Sequence, residues 1–186
     1  VLSQFGDKID QQNPIAVPNR QGHQKILEDQ PGRGGNRFFF GGRFFPGGGG
    51  QVADKGVLRV DGGEYTVTRA KNGPDGILHI LGANSPLPKA GVEITGVLDW
   101  ERRYQVMRTH TAMHILCGTI FRDYGAQVTG GDMEPLKGRM DFEFESMTAD
   151  LVSIIENAVN KEVEAARDVR VQILPRDDAF KIPDLI

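Results

Sequence analysis

The residues of this chain best placed to do chemistry are two histidines four positions apart, His110 and His114. The stretch His110-Thr111-Ala112-Met113-His114 sits in a segment with helical apolar spacing, and side chains at i and i+4 share one helical face. Both imidazoles could therefore reach one divalent cation, supplying two of the four ligands of a tetrahedral zinc site. The competing reading has the two rings packed or hydrogen-bonded on an amphipathic helix with no metal. Cys117 falls near the same face and could complete a His/His/Cys set, although a lone helical cysteine more often serves as a small buried hydrophobe.

A second candidate is the run Gly47-Gly48-Gly49-Gly50-Gln51. Consecutive glycines let the backbone approach a substrate and aim N–H groups at a carbonyl or phosphate oxygen. A flexible linker is the alternative, but the run is short, hemmed by Phe44, Phe45 and Pro46, and followed by the polar residues Gln51 and Asp54. It is not the phosphate loop Gly-x-x-x-x-Gly-Lys-Ser/Thr, and it opens no helix, which argues against nucleotide binding. Arg139 and Asp141 lie two apart on a strand and so share a face, a pattern equally typical of a solvated surface. Arg102, Arg103 and Arg108 lead into the histidine segment, where they could meet phosphates or form a solvated helix start.

These residues must be positioned by two kinds of element. Residues 1–36 are rich in Gln, Asn, Pro and Gly, show no sustained period, and are expected to be loosely ordered. Short strand-like runs follow at Phe38–Phe40, Phe44–Phe45, Val57–Val60, Tyr65–Arg69, Ile77–Leu81 and Val92–Leu98, bounded by Gly, Asn, Asp or Pro. Their spacing suggests a small barrel or sandwich over 37–98. From Asp99 the period becomes helical, with Gly125 as the stop. Gly138–Glu145 alternates Met140, Phe142 and Phe144 against charged residues as a half-buried strand does, with Phe142 expected in the core. Thr148 caps a second helix reaching about Arg167, and Val169–Leu174 reads as a last strand ended by Pro175. The fold class is thus α+β, with a β-rich part over 37–98 and an α+β part over 99–186.

With 186 residues the chain can bury a core in one or two domains. A formal charge of −3 excludes a lysine-coated general polyanion binder, so a nucleic acid would have to be gripped locally. A single cysteine excludes an internal disulfide framework, and no apolar run is long enough to span a bilayer. No membrane partner is expected, and the cytoplasm is the expected location. The first residue is not Met and no signal segment opens the chain, which reads as a fragment of a longer frame.

Taken together, these blocks resemble a known family. Phe44-Phe45-Pro46-Gly47-Gly48-Gly49-Gly50-Gln51 with Asp54 and Gly56 resembles the glycine loop of the free-standing alanyl-tRNA editing proteins of AlaX type, relatives of the editing domain of alanyl-tRNA synthetase. Met107 to Leu116 resembles their zinc-binding helix. Val128-Thr129-Gly130-Gly131 and Arg139-Met140-Asp141-Phe142 resemble the strands beside it. The resemblance runs from about residue 43 to 186. It implies a glycine-rich β-barrel-like domain followed by an α+β editing domain of antiparallel sheet and helices, with the active site between them.

The implied activity is hydrolysis, in trans, of the ester joining serine or glycine to alanine tRNA. His110 and His114 would hold Zn2+ and, with Gln51, act in catalysis. Gly48, Gly49, Gly50, Gln51, Arg139 and Asp141 would bind substrate. ATP binding is carried by the family only as a general description. Three departures stand out. Family members have a further segment, with a Cys or Asp, two glycines and a later His, that completes the metal site, and this chain ends at Ile186 before it, so the site is expected to be incomplete. Residues 1–36 do not match the family's opening, and Gly47 stands where an acidic residue is common. Three alternatives stay open: an editing module of an alanyl- or threonyl-tRNA synthetase, a non-catalytic tRNA-binding module, and a general metalloesterase.

Overall fold

The computed structural model describes residues 22–25, 37–39, 44–60, 62–73, 76–82, 88, 92–170 and 172–182. Six strands, β1 (Gly22–Lys25), β2 (Arg37–Phe39), β3 (Gly56–Val60), β4 (Gly63–Gly73), β5 (Gly76–Leu81) and β6 (Glu93–Leu98), form one antiparallel sheet in the order β1-β6-β3-β4-β5-β2. The outermost strands are β1 and β2, and no pairing between them closes the sheet among the described residues. The strands expected near 57–60, 65–69, 77–81 and 92–98 all form. Within the segment read as loosely ordered, Gly22–Lys25 pairs with β6; the rest of residues 1–36, like Phe40, lies outside the described residues.

Alternation drives this sheet. Leu58, Val60, Val67, Ala70, Leu81 and Ile94 turn to one side and bury together with Phe44. Each such large apolar side chain contributes roughly 1.5–3 kcal/mol relative to its exposed state. Phe44 and Phe45, expected to be strand-like, are instead irregular, because their polar groups serve a loop. Phe45 N donates to Asp54 Oδ2 at 2.6 Å, and Asp54 N donates back to Phe45 O at 2.9 Å. Phe44 still reaches the core, edge-on to His79 with ring centroids 5.0 Å apart.

The long helix α1 (Trp100–Tyr124) begins where Asp99 accepts from the Arg102 backbone N–H at 3.1 Å. It ends at Gly125, whose left-handed φ of 66° lets its N–H close on Phe121 O. A two-stranded ribbon, β7 (Val128–Glu134) and β8 (Lys137–Phe142), packs on α1 through Val106, Met113 and Met133. Close approach explains Gly138: a Cβ there would stand 2.7 Å from Met113 Sδ. Thr148 caps α2 (Ala149–Glu164) by accepting from Leu151 N, and Ile155, Val159 and Val163 bury against Ile120 and Ala126. None of the described helices is long and apolar enough to cross a membrane.

The expected strand at Val169–Leu174 does not form. Its described residues are irregular, and Pro175 opens a short helix, α3 (Arg176–Ala179). Val169 is 71% exposed and Ile173 94%, so these β-branched side chains have no sheet neighbour to pack against.

Candidate active site

The histidine pair behaves as its spacing dictates. On α1 the rings of His110 and His114 stack with centroids 4.8 Å apart and planes 16° from parallel. His110 is half-buried and His114 exposed. Burial, and secondarily the neighbouring His114, lower the pKa of His110 below the usual histidine value, favouring the neutral ring that ligates metals.

The glycine loop is brought to this pair by four restraints. Gly47, Gly48, Gly49 and Gly50 all have positive φ, a course that side chains would oppose. Gly48 and Gln51 exchange both backbone hydrogen bonds at 3.0 Å, closing a tight turn. Gly50 O accepts from Met133 N at 2.9 Å, fastening the loop to β7. At the loop's base, Arg103 of α1 forks onto Asp54: Nε donates to Oδ1 at 2.8 Å, and Nη2 donates to Oδ2. Asp54 is 7% exposed, so this pair is a buried fastening.

The result is a direct contact: Gln51 Oε1 lies 2.9 Å from His110 Nδ1. Gln51, His110 and His114 thus form one group, reached from residues that are distant in sequence. The N–H groups of Gly49 and Gly50 have no acceptor among the described residues, and an ideal Cβ on Gly48 or Gly49 would meet nothing within 4 Å. The loop therefore presents an open backbone edge beside the histidines.

Arg139 and Asp141 lie one strand further, on β8, where Arg139 pairs with Asp132 of β7 next to the loop's docking point at Met133. They share the exposed face of β8, where Arg139 Nη2 stands 3.4 Å from Asp141 Oδ2 and Nε 3.8 Å from Asp132 Oδ2. No contact joins them to Gln51 or to the histidines among the described residues. Cys117 is a half-buried free thiol. No group of three or more His, Cys, Asp or Glu side chains gathers to hold a metal among the described residues, so the two imidazoles fit half of a zinc site.

Two fastenings escape a reading of the sequence. Arg103, expected to meet phosphate or solvent, is committed to Asp54. Met133 N holds the loop through a backbone atom that no side-chain pattern reveals.

No family model matches the chain. It is 37% identical over 145 residues to the alanyl-tRNA editing protein AlaX-M of Saccharolobus solfataricus, which covers 77% of this chain and 60% of that protein. The AlaX-M protein of Methanosarcina acetivorans is 34% identical over 142 residues, covering 73% of this chain and 58% of its own length. The alanine–tRNA ligase of Pyrobaculum neutrophilum is 36% identical over 139 residues, covering 73% of this chain but 15% of the ligase. The chain thus spans about three fifths of the editing proteins it matches. Over the matched residues it is a relative of the AlaX-type alanyl-tRNA editing proteins and of alanine–tRNA ligases.

Proposed function

We propose that this chain hydrolyses the ester linking a wrong amino acid, serine or glycine, to alanine tRNA in the cytoplasm. The observation that carries this reading is the 2.9 Å contact between Gln51 and His110, which sets a glycine-lined backbone edge against a pair of ligand-type imidazoles. Ester hydrolysis needs donors where charge builds on the carbonyl oxygen and a way to deliver water. The unengaged N–H groups of Gly49 and Gly50 are suited to the first need.

His110 and His114 would hold Zn2+, with further ligands from residues outside those described or from solvent; when bound, zinc supplies a Lewis acid and an acidified water. The chain's own groups do the positioning. Gln51 accepts from Nδ1–H of His110 and so presents the lone pair of Nε2, while the Asp54–Arg103 pair keeps the loop seated. No step uses ATP.

The matches to alanine–tRNA ligases favour one second reading, the same site acting as the editing module of a longer synthetase. Either way the test is serine or glycine release from mischarged alanine tRNA, with correctly charged tRNA as control. His110→Ala is expected to lower release by about two orders of magnitude or more. Release at the wild-type rate in that variant would overturn the reading.

A further inference from the structure

A cleft of about 500 Å³ opens beside Gln51, between the glycine loop, β4 and the first turn of α1. Its walls carry Lys55, Arg69 and Arg102, and no Asp or Glu among the described residues. The three cations come from three separate elements. Arg69 owes its place to a bulge: Val67 pairs with Leu81 and Arg69 with Ile80, leaving Thr68 as the extra residue. Thr68 and Arg69 would point to opposite faces of a regular strand, yet both line the cleft.

None of the three makes an ion pair among the described residues, whereas Arg59, Arg103, Arg122, Arg139 and Arg167 all find carboxylates. Arg102 makes one long contact, Nη2 to Ala53 O at 3.4 Å, and its buried Nε has no hydrogen-bond partner among the described residues. In a chain of net charge −3, three convergent cations with no counter-charge among the described residues form a local trap for an anion. The volume suits about one nucleotide. Gln51 is common to the cleft wall and to the His110 contact, so an anion held here would end at the site.

We propose that this cleft holds phosphodiester groups at the single-stranded 3′ end of the acylated RNA, guiding its last nucleotides to Gln51. This rests on the reading above that the substrate is an aminoacylated RNA. Phosphate contacts would fix the register of the strand and leave base identity unread.

The test pairs binding of uncharged alanine tRNA, by fluorescence anisotropy between 50 and 200 mM KCl, with hydrolysis of its seryl ester. Lys55→Ala/Arg69→Ala removes two exposed cations, and each lost contact to a single strand should lower the salt slope of log Kd by about 0.7. The double variant should therefore lose about 1.4 from the slope and raise KM about tenfold, with kcat unchanged. Arg102→Ala, read the same way, is an independent third point, and melting curves verify the fold of each variant. An unchanged slope in folded variants that still hydrolyse the ester overturns the cleft alone. Absence of ester hydrolysis in the wild type, with uncharged tRNA still binding through these cations, overturns the reaction and leaves the cleft standing.

Discussion

Gln51 Oε1 faces His110 Nδ1 at 2.9 Å, and that contact selects the tautomer of the neutral ring as well as its position. A carbonyl oxygen only accepts, so in the neutral ring Nδ1 carries the proton and Nε2 keeps its lone pair. Partners of this kind tune a metal-ligating histidine, and losing one typically costs 10- to 100-fold in metal affinity or activity. Gln51→Ala should therefore weaken zinc binding about 10- to 100-fold, measured by competition with a chromogenic chelator. Gln51→Glu keeps an acceptor and should retain most of the affinity. Equal affinity in wild type and Gln51→Ala would show that the contact does not orient the ring.

The Asp54–Arg103 pair predicts a stability effect centred on the loop. Removing one partner of a buried ion pair leaves an uncompensated charge and costs about 3–5 kcal/mol, less where one side keeps contact with water. Arg103 keeps about a fifth of its side chain exposed (21%), so Arg103→Ala should destabilise by ~2–4 kcal/mol in denaturant melts. Asp54→Ala additionally strips the acceptor from Phe45 N and should cost at least as much. A loss of a few tenths of a kcal/mol in both would mean that the fastening contributes little to the folded state.

The elements that hold these residues were legible where local chemistry decides them. Asp99, Gly125 and Thr148 are caps that the sequence displays openly, and the helical period between them placed His110 and His114 on one face. The antiparallel strands followed their alternation and turn residues. What stayed hidden depends on partners far along the chain: Arg103 meets Asp54 across 49 residues, and Met133 meets Gly50 through backbone atoms alone. The 169–174 segment shows the converse. Its β-branched residues satisfy local propensity, but a strand needs a partner to pair with, and 169–170 and 172–174 pair with no strand among the described residues.

Phe142 tests the inner face of the ribbon. The alternation of β8 puts Met140 and Phe142 inward and Arg139 and Asp141 outward, as the sequence suggests, but Phe142 is half-buried rather than enclosed. A fully buried phenylalanine loses about 3–5 kcal/mol on truncation, so the half-covered ring should lose ~2–3 kcal/mol in Phe142→Ala. Ile120→Ala, at a site 2% exposed, should cost about 2–5 kcal/mol. Reversal of the order beyond experimental error would place the centre of this cluster on the ribbon instead of the helix pair.

Glu162 on α2 predicts an acid sensitivity. Its carboxylate accepts from Arg122 of α1 and from Arg167, and those two partners, Arg122 foremost, hold its pKa below the usual carboxylate value. A carboxylate depressed in the folded state stabilises fully above its unfolded pKa, and the contribution is lost as pH falls through the folded value. The wild-type melting temperature should therefore fall more steeply than that of Glu162→Gln below about pH 4.5. Because the network faces solvent, 1 M NaCl should erase most of the difference. Parallel pH profiles at low salt would remove this network from the account of acid stability.

Gly50 separates the loop's role in the site from its role in the fold. Its φ of 78° disfavours any side chain, and a Cβ there would stand 2.7 Å from Gly131 O. Alanine can be accommodated only by lifting the loop from β7, which breaks the Gly50 O to Met133 N bond and carries Gln51 away from His110. The strain is about 1–3 kcal/mol in global stability, whereas serine release should fall much further, because the misplaced group orients a histidine. Gly62→Asn, away from the site, is the matched control: φ is also 78°, in the left-handed region where asparagine is enriched, and nothing among the described residues lies within 4 Å of its Cβ. If Gly50→Ala and Gly62→Asn released serine at the same rate, docking of the loop on β7 would have no part in placing Gln51.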